Sequence, residues 1–343
     1  MSRNRPFAQR GSVAMSGGRS ALTTSKVLVV LGIATALMSV VALSLGAAHI
    51  PLTGVIKALT GSGDPFTREI IMNVRLPRVL AALIAGASLG LSGPVLQAMY
   101  ANPIVDAGIV VVGPAAAVGA ALAAALWPGS IIWAAVIATV CAATSALALS
   151  AVRATGTGFS LIAVAAGSAG MAILGILVSI PHLSSGRSVS SWVFGSLALA
   201  DWRATAAIFV GLLVGLLQLK NQARALDIAS LGAPSAELLG LDIRRARGRW
   251  SVAVACLIGT VVACFGVIAF VGLAVPHLLR ALGIHLHAAL LVCSAAAGAL
   301  LLLVADTAAR SAIGGAEVPV GFFVTLLGAP VLIRTLVNRA ARG

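Results

Sequence analysis

The chain has 343 residues, 60% of them hydrophobic and only 9% charged, with a mean hydropathy of +1.08. That composition excludes a water-exposed globule and reads as an integral membrane protein. The 23 Lys and Arg against 9 Asp and Glu give a net charge of +14, but one Tyr and so few charges cannot build a nucleic-acid surface, so no nucleic-acid partner is expected and the basic excess belongs in loops facing anionic lipid.

In chain order, residues 1–26 read as a basic cytoplasmic tail, and the charge-free stretch 27–56 carries a first helix near 27–48. Its apolar run is longer than a signal-peptide core, which sets it apart from a leader cleaved near Gly46. A second span lies within 79–105 and is interrupted by Pro94. The 46 positions from 107 to 152 carry no charge and exceed one crossing of a ~30 Å core, so Trp127, Pro128 and Gly129 are expected to divide them into two. Further spans at 159–180, 204–219, 250–269, 270–283, 288–305 and 318–337 bring the total to ten, with 270–283 the shortest. The expectation is an all-α membrane protein with a single ten-span domain over 27–338. Gly86 with Gly90, and Gly211 with Gly215, are spaced to bring helix backbones close together.

With both termini inside, 16 of the 23 Lys and Arg fall on the cytoplasmic side, and Lys57, Arg68, Arg75, Arg78, Arg187, Arg203 and Arg310 fall outside. No GxxxxGK[ST] phosphate loop is present, so ATP-driven work requires a partner. The internal stretch 220–249 reads as two short helices, 225–231 and 234–239, stopped by Gly232 and Gly240. Its leucines, Leu226, Leu231, Leu238, Leu239 and Leu241, suit either a lipid surface or a groove on a cytoplasmic partner.

Between two spans, Asn102-Pro103-Ile104-Val105-Asp106 breaks the helix and frees backbone polar groups, as a loop or as a gate at the mouth of a pathway. His285 and His287 lie two apart and point in different directions, the four cysteines sit in apolar runs without CxxC spacing, and no metal site is expected. Asp306 and Arg310, four apart, read as an ion pair at a membrane edge. An intramembrane enzyme is the rival class, but neither GxSxG nor HExxH is present.

The residues then become recognisable. Arg75-Leu76-Pro77-Arg78, the run 102–108 (NPIVDAG), 192–197 (WVFGSL), 266–280 (GVIAFVGLAVPHLLR), 305–310 (ADTAAR), 317–321 (EVPVG) and 327–330 (LGAP) occur in order. Together they resemble the FecCD-type permeases of bacterial ABC importers over nearly everything after residue 26. The resemblance implies a ten-span inner-membrane permease, without an ATP site or cofactor of its own, that imports haem, a ferric siderophore or cobalamin, with iron chelates the first expectation. It implies a second permease subunit, as a homodimer, and two cytoplasmic ATPase subunits that hold ATP and Mg. A periplasmic or lipid-anchored binding protein completes the assembly. It also implies roles for particular residues. Arg75, Arg78 and Arg310 would dock the binding protein. Leu226, Leu231, Ser235, Glu237, Leu238, Leu239 and Gly240 would couple to the ATPase. Asn102, Pro103 and Ile104, with Gly156, Thr157, Gly158 and Phe159, would form the inner gate. The chain departs from its relatives at 110–117, where Val-Val-Val-Gly-Pro-Ala-Ala-Ala replaces a Gly-Val-Ser-rich stretch, and in its Gly-rich gate segment.

Overall fold

A computed structural model describes residues 17–46, 50–108, 110–152, 156–180, 187–312 and 318–340; most of the N-terminal tail (1–16), Arg153 and Glu317 lie outside the described residues. The described chain is helical throughout. In order the helices are α1 (Gly17–Ser44), α2 (Leu52–Leu59), α3 (Pro65–Glu69), a π-helical turn (Ile70–Arg75), α4 (Leu76–Met99), α5 (Val112–Leu126), α6 (Ile131–Ser150) and α7 (Gly156–Ser179). They continue with α8 (Val189–Phe194), α9 (Trp202–Leu219), α10 (Ala223–Ala229), α11 (Ala233–Leu238), α12 (Ile243–Phe265), α13 (Val271–Ala281), α14 (His287–Ser311) and α15 (Val320–Ala340). Seven of the described helices are long and apolar enough to cross a membrane, and three shorter apolar helices, α5, α13 and the first half of α15, occupy the remaining expected positions. Each of the ten expected segments holds a helix.

Two boundaries follow from capping that apolar runs do not reveal. Asp201 accepts the Ala204 N–H at 2.7 Å and starts α9, and Asp242 accepts the Arg245 N–H at 3.0 Å and starts α12 well before its apolar run. The strongly polar first turns of α12 (IRRARGR) are thus already helical. At the other end of the chain, α1 begins at Gly17, inside the stretch read as tail.

Pro94 does not interrupt its helix. α4 runs through it from Leu76 to Met99, contrary to the sequence expectation. The helix stays in line through Pro94 because this half of α4 is buried on all sides, with α12, α13 and α14 packed on the helix.

α4 and α12 are the central helices, each buried along most of its length, while α1, α6, α7 and α9 keep broad apolar outer faces such as Val29, Ile132, Leu161 and Leu217 exposed. In water such faces would be an aggregation hazard; in a bilayer they are the lipid surface. Two apolar cores meet at the central helices. One gathers α5, α6, α12 and the Met99 end of α4; the other gathers α1, α13, α14 and the Arg78 end of α4.

α4 and α14 run antiparallel, Gly86 against Gly298 and Gly90 against Ser294, and a Cβ on Gly86 or Gly298 would collide with the facing carbonyl. Gly211 and Gly215 likewise bring α9 onto Thr260 and Leu257 of α12. Bare backbone at these crossings lets dispersion replace the hydrophobic driving force that lipid does not supply.

Candidate functional sites at the two ends of the bundle

At the Met99 end, α4 stops at Tyr100, and the chain turns through Ala101, whose φ is 47°, into Asn102-Pro103-Ile104. Asn102 closes this turn on itself, its Oδ1 accepting the Ile104 N–H at 3.0 Å. Its Nδ2 donates to Ser160 Oγ at 2.8 Å, which ties the turn to the start of α7. Next to this bond the rings of Tyr100 and Phe159 lie 5.1 Å apart between centroids, and the Tyr100 hydroxyl donates to the Ala146 carbonyl at 3.0 Å. The two expected gate segments, far apart in sequence, are therefore one cluster. Gly156 and Thr157 open α7 and Gly158 is exposed on its first turn.

This cluster lines a cavity of ≈ 670 Å³ together with Gly232, Ala233 and Pro234 from the α10–α11 turn and Arg247 from α12. Arg247 was not among the expected gate residues. Its Nε donates to the Met99 carbonyl at 3.1 Å and its Nη1 to the Ser150 carbonyl at 3.5 Å, so it caps the ends of both α4 and α6. The sequence signal was the four arginines of α12, but nothing there distinguishes the one that turns inward.

The α10–α11 pair forms where expected. Gly232 and Gly240 take φ values of 94° and 81°, the left-handed conformation that stops each helix. Leu238 is 90% exposed, and Leu231, Leu239, Glu237 and Gly240 are exposed as well, while Ser235 is half-covered. Leu226 is a correction. Expected on the partner-facing surface, it is fully buried, because α10 packs against α4 and α14 and this leucine fills the joint.

At the opposite end the three arginines expected as a dock come together but turn inward, which is the second correction. Arg78 grips Asp306, with Nε 3.1 Å from both carboxylate oxygens and Nη2 3.0 Å from Oδ1. Arg310 lies 3.7 Å from the same carboxylate and donates to the Ala42 carbonyl. Arg75 Nη1 donates to the carbonyls of Leu43 and Ser44 at 2.6 and 2.8 Å. The last turn of α1 has no intrahelical partners for these carbonyls, and its partial negative charge draws the two guanidinium groups over it. Asp306 is 1% exposed, and none of the three arginines is an exposed charge. The carboxylate pairs chiefly with Arg78, from a distant part of the chain, rather than with its sequence neighbour Arg310.

Between the ends, Asp106 joins the gate turn to α13. Its Oδ2 accepts the Gly108 N–H at 3.0 Å and the Phe270 N–H at 3.1 Å. Phe270 takes a φ of 72°, a conformation costly for a bulky residue, and the carboxylate holds it there. Gln97 makes a parallel link, accepting from Arg280 Nη1 at 2.6 Å and donating to the Gly272 carbonyl at 3.2 Å. Among the described residues no three His, Cys, Asp or Glu side chains converge as a metal site, and His287 pairs instead with Asp227.

The chain is similar to known proteins in sequence and fold. The vitamin B12 import system permease protein BtuC of Salmonella typhimurium is 36% identical over 290 residues, covering 82% of this chain and 86% of the relative. The Salmonella typhi protein of the same name is 35% identical over the same length. Among solved structures, a metal-chelate type ABC transporter in an inward-facing conformation superposes with a TM-score of 0.76 at 28% identity, covering 92% of this chain and 99% of that one. PsaBC from Streptococcus pneumoniae, at 15% identity and a TM-score of 0.55, shares the fold. The model of the FecCD transport family matches residues 33–338, nearly the whole described bundle, and the chain belongs to that family of membrane permeases.

Proposed function

We propose that this chain is the permease subunit of a binding-protein-dependent ABC importer that moves an iron chelate, haem or a ferric siderophore, across the bacterial inner membrane. The observation that carries the reading is the single turn Gly232–Pro234. On one side it leads into α11, whose Leu238 and Leu239 are exposed apolar surface among the described residues; on the other it lines the expected gate cavity beside Asn102 and Phe159. A movement of α11 therefore changes the walls of the gate directly. In this reading α11 sits in a groove of a cytoplasmic ATPase, two of which hold ATP and Mg and serve a homodimer of this chain; the chain itself carries no cofactor, and both its termini are cytoplasmic. At the other end a periplasmic or lipid-anchored binding protein docks above the arginine cluster. There Arg75, Arg78 and Arg310 shape the rim by fixing α1, α4 and α14 to one another, which makes their part in docking indirect.

Cobalamin is the second reading, favoured by the relatives named as vitamin B12 permeases. One experiment separates these cases. The chain is reconstituted in liposomes with its ATPase and binding protein, and uptake of radiolabelled haem, ferrichrome and cobalamin is compared. Uptake of an iron chelate only in the complete, ATP-supplied system supports the proposal; cobalamin alone selects the second reading, and turnover or uptake by the chain without its ATPase overturns both.

A further inference from the structure

The N-terminus of α14 lacks a cap of its own. Its cap position is Leu286, which has no side chain able to accept a hydrogen bond. The acceptor comes from another element: Asp227 Oδ1, on α10, accepts both the backbone N–H of His287 at 2.9 Å and its ring Nδ1 at 2.7 Å. A carboxylate placed there also meets the positive end of the helix dipole. His287 is buried, and Leu226, the neighbour of Asp227, is fully enclosed beside it. α10 is thus clamped to α14 on a short lever, while α11, one turn further along the chain, stays open to a partner.

α14 leads from this clamp to the other end of the molecule. His287 and Asp306 are separated by about 28 Å of continuous helix, and along it the glycine crossings weld α14 to α4. Asp306 then holds Arg78, at the start of α4, and Arg310. The exposed coupling surface and the buried arginine cluster are two ends of one rigid two-helix strut.

We propose that Asp227 is a positioning residue for coupling: by clamping α10 to the N-terminus of α14 it delivers movement of α11 to the α4–α14 strut and so to the arginine end of the bundle. This rests on the reading of α11 as the ATPase contact. Without the clamp, movement of α11 would be spent in bending the α10 joint, and the gate and the opposite end would no longer change together.

The test uses the complete transporter in proteoliposomes, with radiolabelled haem, ferrichrome or cobalamin, whichever it takes up, and measures co-purification of the ATPase, stimulated hydrolysis and uptake per ATP. Asp227→Ala is expected to assemble and hydrolyse ATP but to take up at least about tenfold less chelate per ATP, a lower bound set by one of the two charge-assisted bonds it loses. Asp227→Asn is expected to recover at least about half of the loss, since its amide oxygen accepts the same two bonds. Should Asp227→Ala fail to fold, Asp227→Ser carries the same expectation, its short hydroxyl being unable to reach both His287 groups. Wild-type uptake per ATP in the Ala or Ser variant overturns the proposal, and so do equal losses in the Asn and Ala variants. Failure of the underlying reading is distinguishable: Leu238→Ala/Leu239→Ala would then leave both assembly and stimulated hydrolysis unchanged.

Discussion

Removing the Asp306 carboxylate tests whether the arginine end is a clasp or a dock. In the structure this group is 1% exposed and receives three Arg78 contacts of 3.0 to 3.1 Å, with Arg310 at 3.7 Å. At 3.0 Å and an effective dielectric of about 20, the gross attraction of one such pair is about 5 kcal/mol. Desolvation of the two ions cancels much of that in the intact protein, but Asp306→Ala takes from the buried Arg78 guanidinium the carboxylate it grips. The expected cost is therefore about 3–5 kcal/mol. Replacing both partners, Arg78→Met with Asp306→Leu, removes the guanidinium that grips the carboxylate, leaves Arg310 on the Ala42 carbonyl, and is expected to restore at least half of the loss. The assay is thermal unfolding of the purified chain in detergent, with Arg68→Ala, a change at an exposed residue, as the control that shifts stability by less than about 0.5 kcal/mol. A cost below about 1 kcal/mol for Asp306→Ala, or a double variant no more stable than the single one, refutes the clasp.

Three further outcomes are expected. Leu238→Ala/Leu239→Ala leaves the isolated chain as stable as before, since both side chains are exposed, but weakens ATPase binding by about 1.5–3 kcal/mol for each leucine that the groove fully buries, read as loss of co-purification. Asn102→Ala removes the 2.8 Å bond to Ser160 that ties the two gate segments, worth about 1 kcal/mol, and is expected to raise chelate leak through liposomes in the absence of ATP; an unchanged leak counts against the gate. Gly298→Val drives a side chain into the Gly86 carbonyl and forces α4 from α14, costing about 1–3 kcal/mol or more, visible as loss of monodisperse protein on size-exclusion chromatography in detergent.

The sequence alone determined that this is a helical membrane protein, where most of its spans lie and where α10 and α11 stop. Charge-free runs, Trp127-Pro128-Gly129 and the paired Gly232 and Gly240 are local signals whose physics, hydrocarbon thickness and backbone conformation, needs no knowledge of the rest of the chain. It erred at Pro94, because a proline's cost depends on what encloses the helix, and it placed the start of α12 late, because a carboxylate cap outweighs a polar composition. Ordered motifs singled out the two expected gate segments, but only the tertiary structure joined Asn102 to Ser160 and brought Arg247 and the Gly232–Pro234 turn into the same cavity wall. The fate of the charges was decided there too. A linear chain offers Asp306 its neighbour Arg310 and offers Asp227 no partner at all; the fold gives them Arg78 and His287, 228 and 60 residues away. A buried charge takes whichever counter-charge the packing brings within hydrogen-bonding distance, and in an antiparallel bundle that partner lies across the helix crossing, where sequence spacing carries no trace of it.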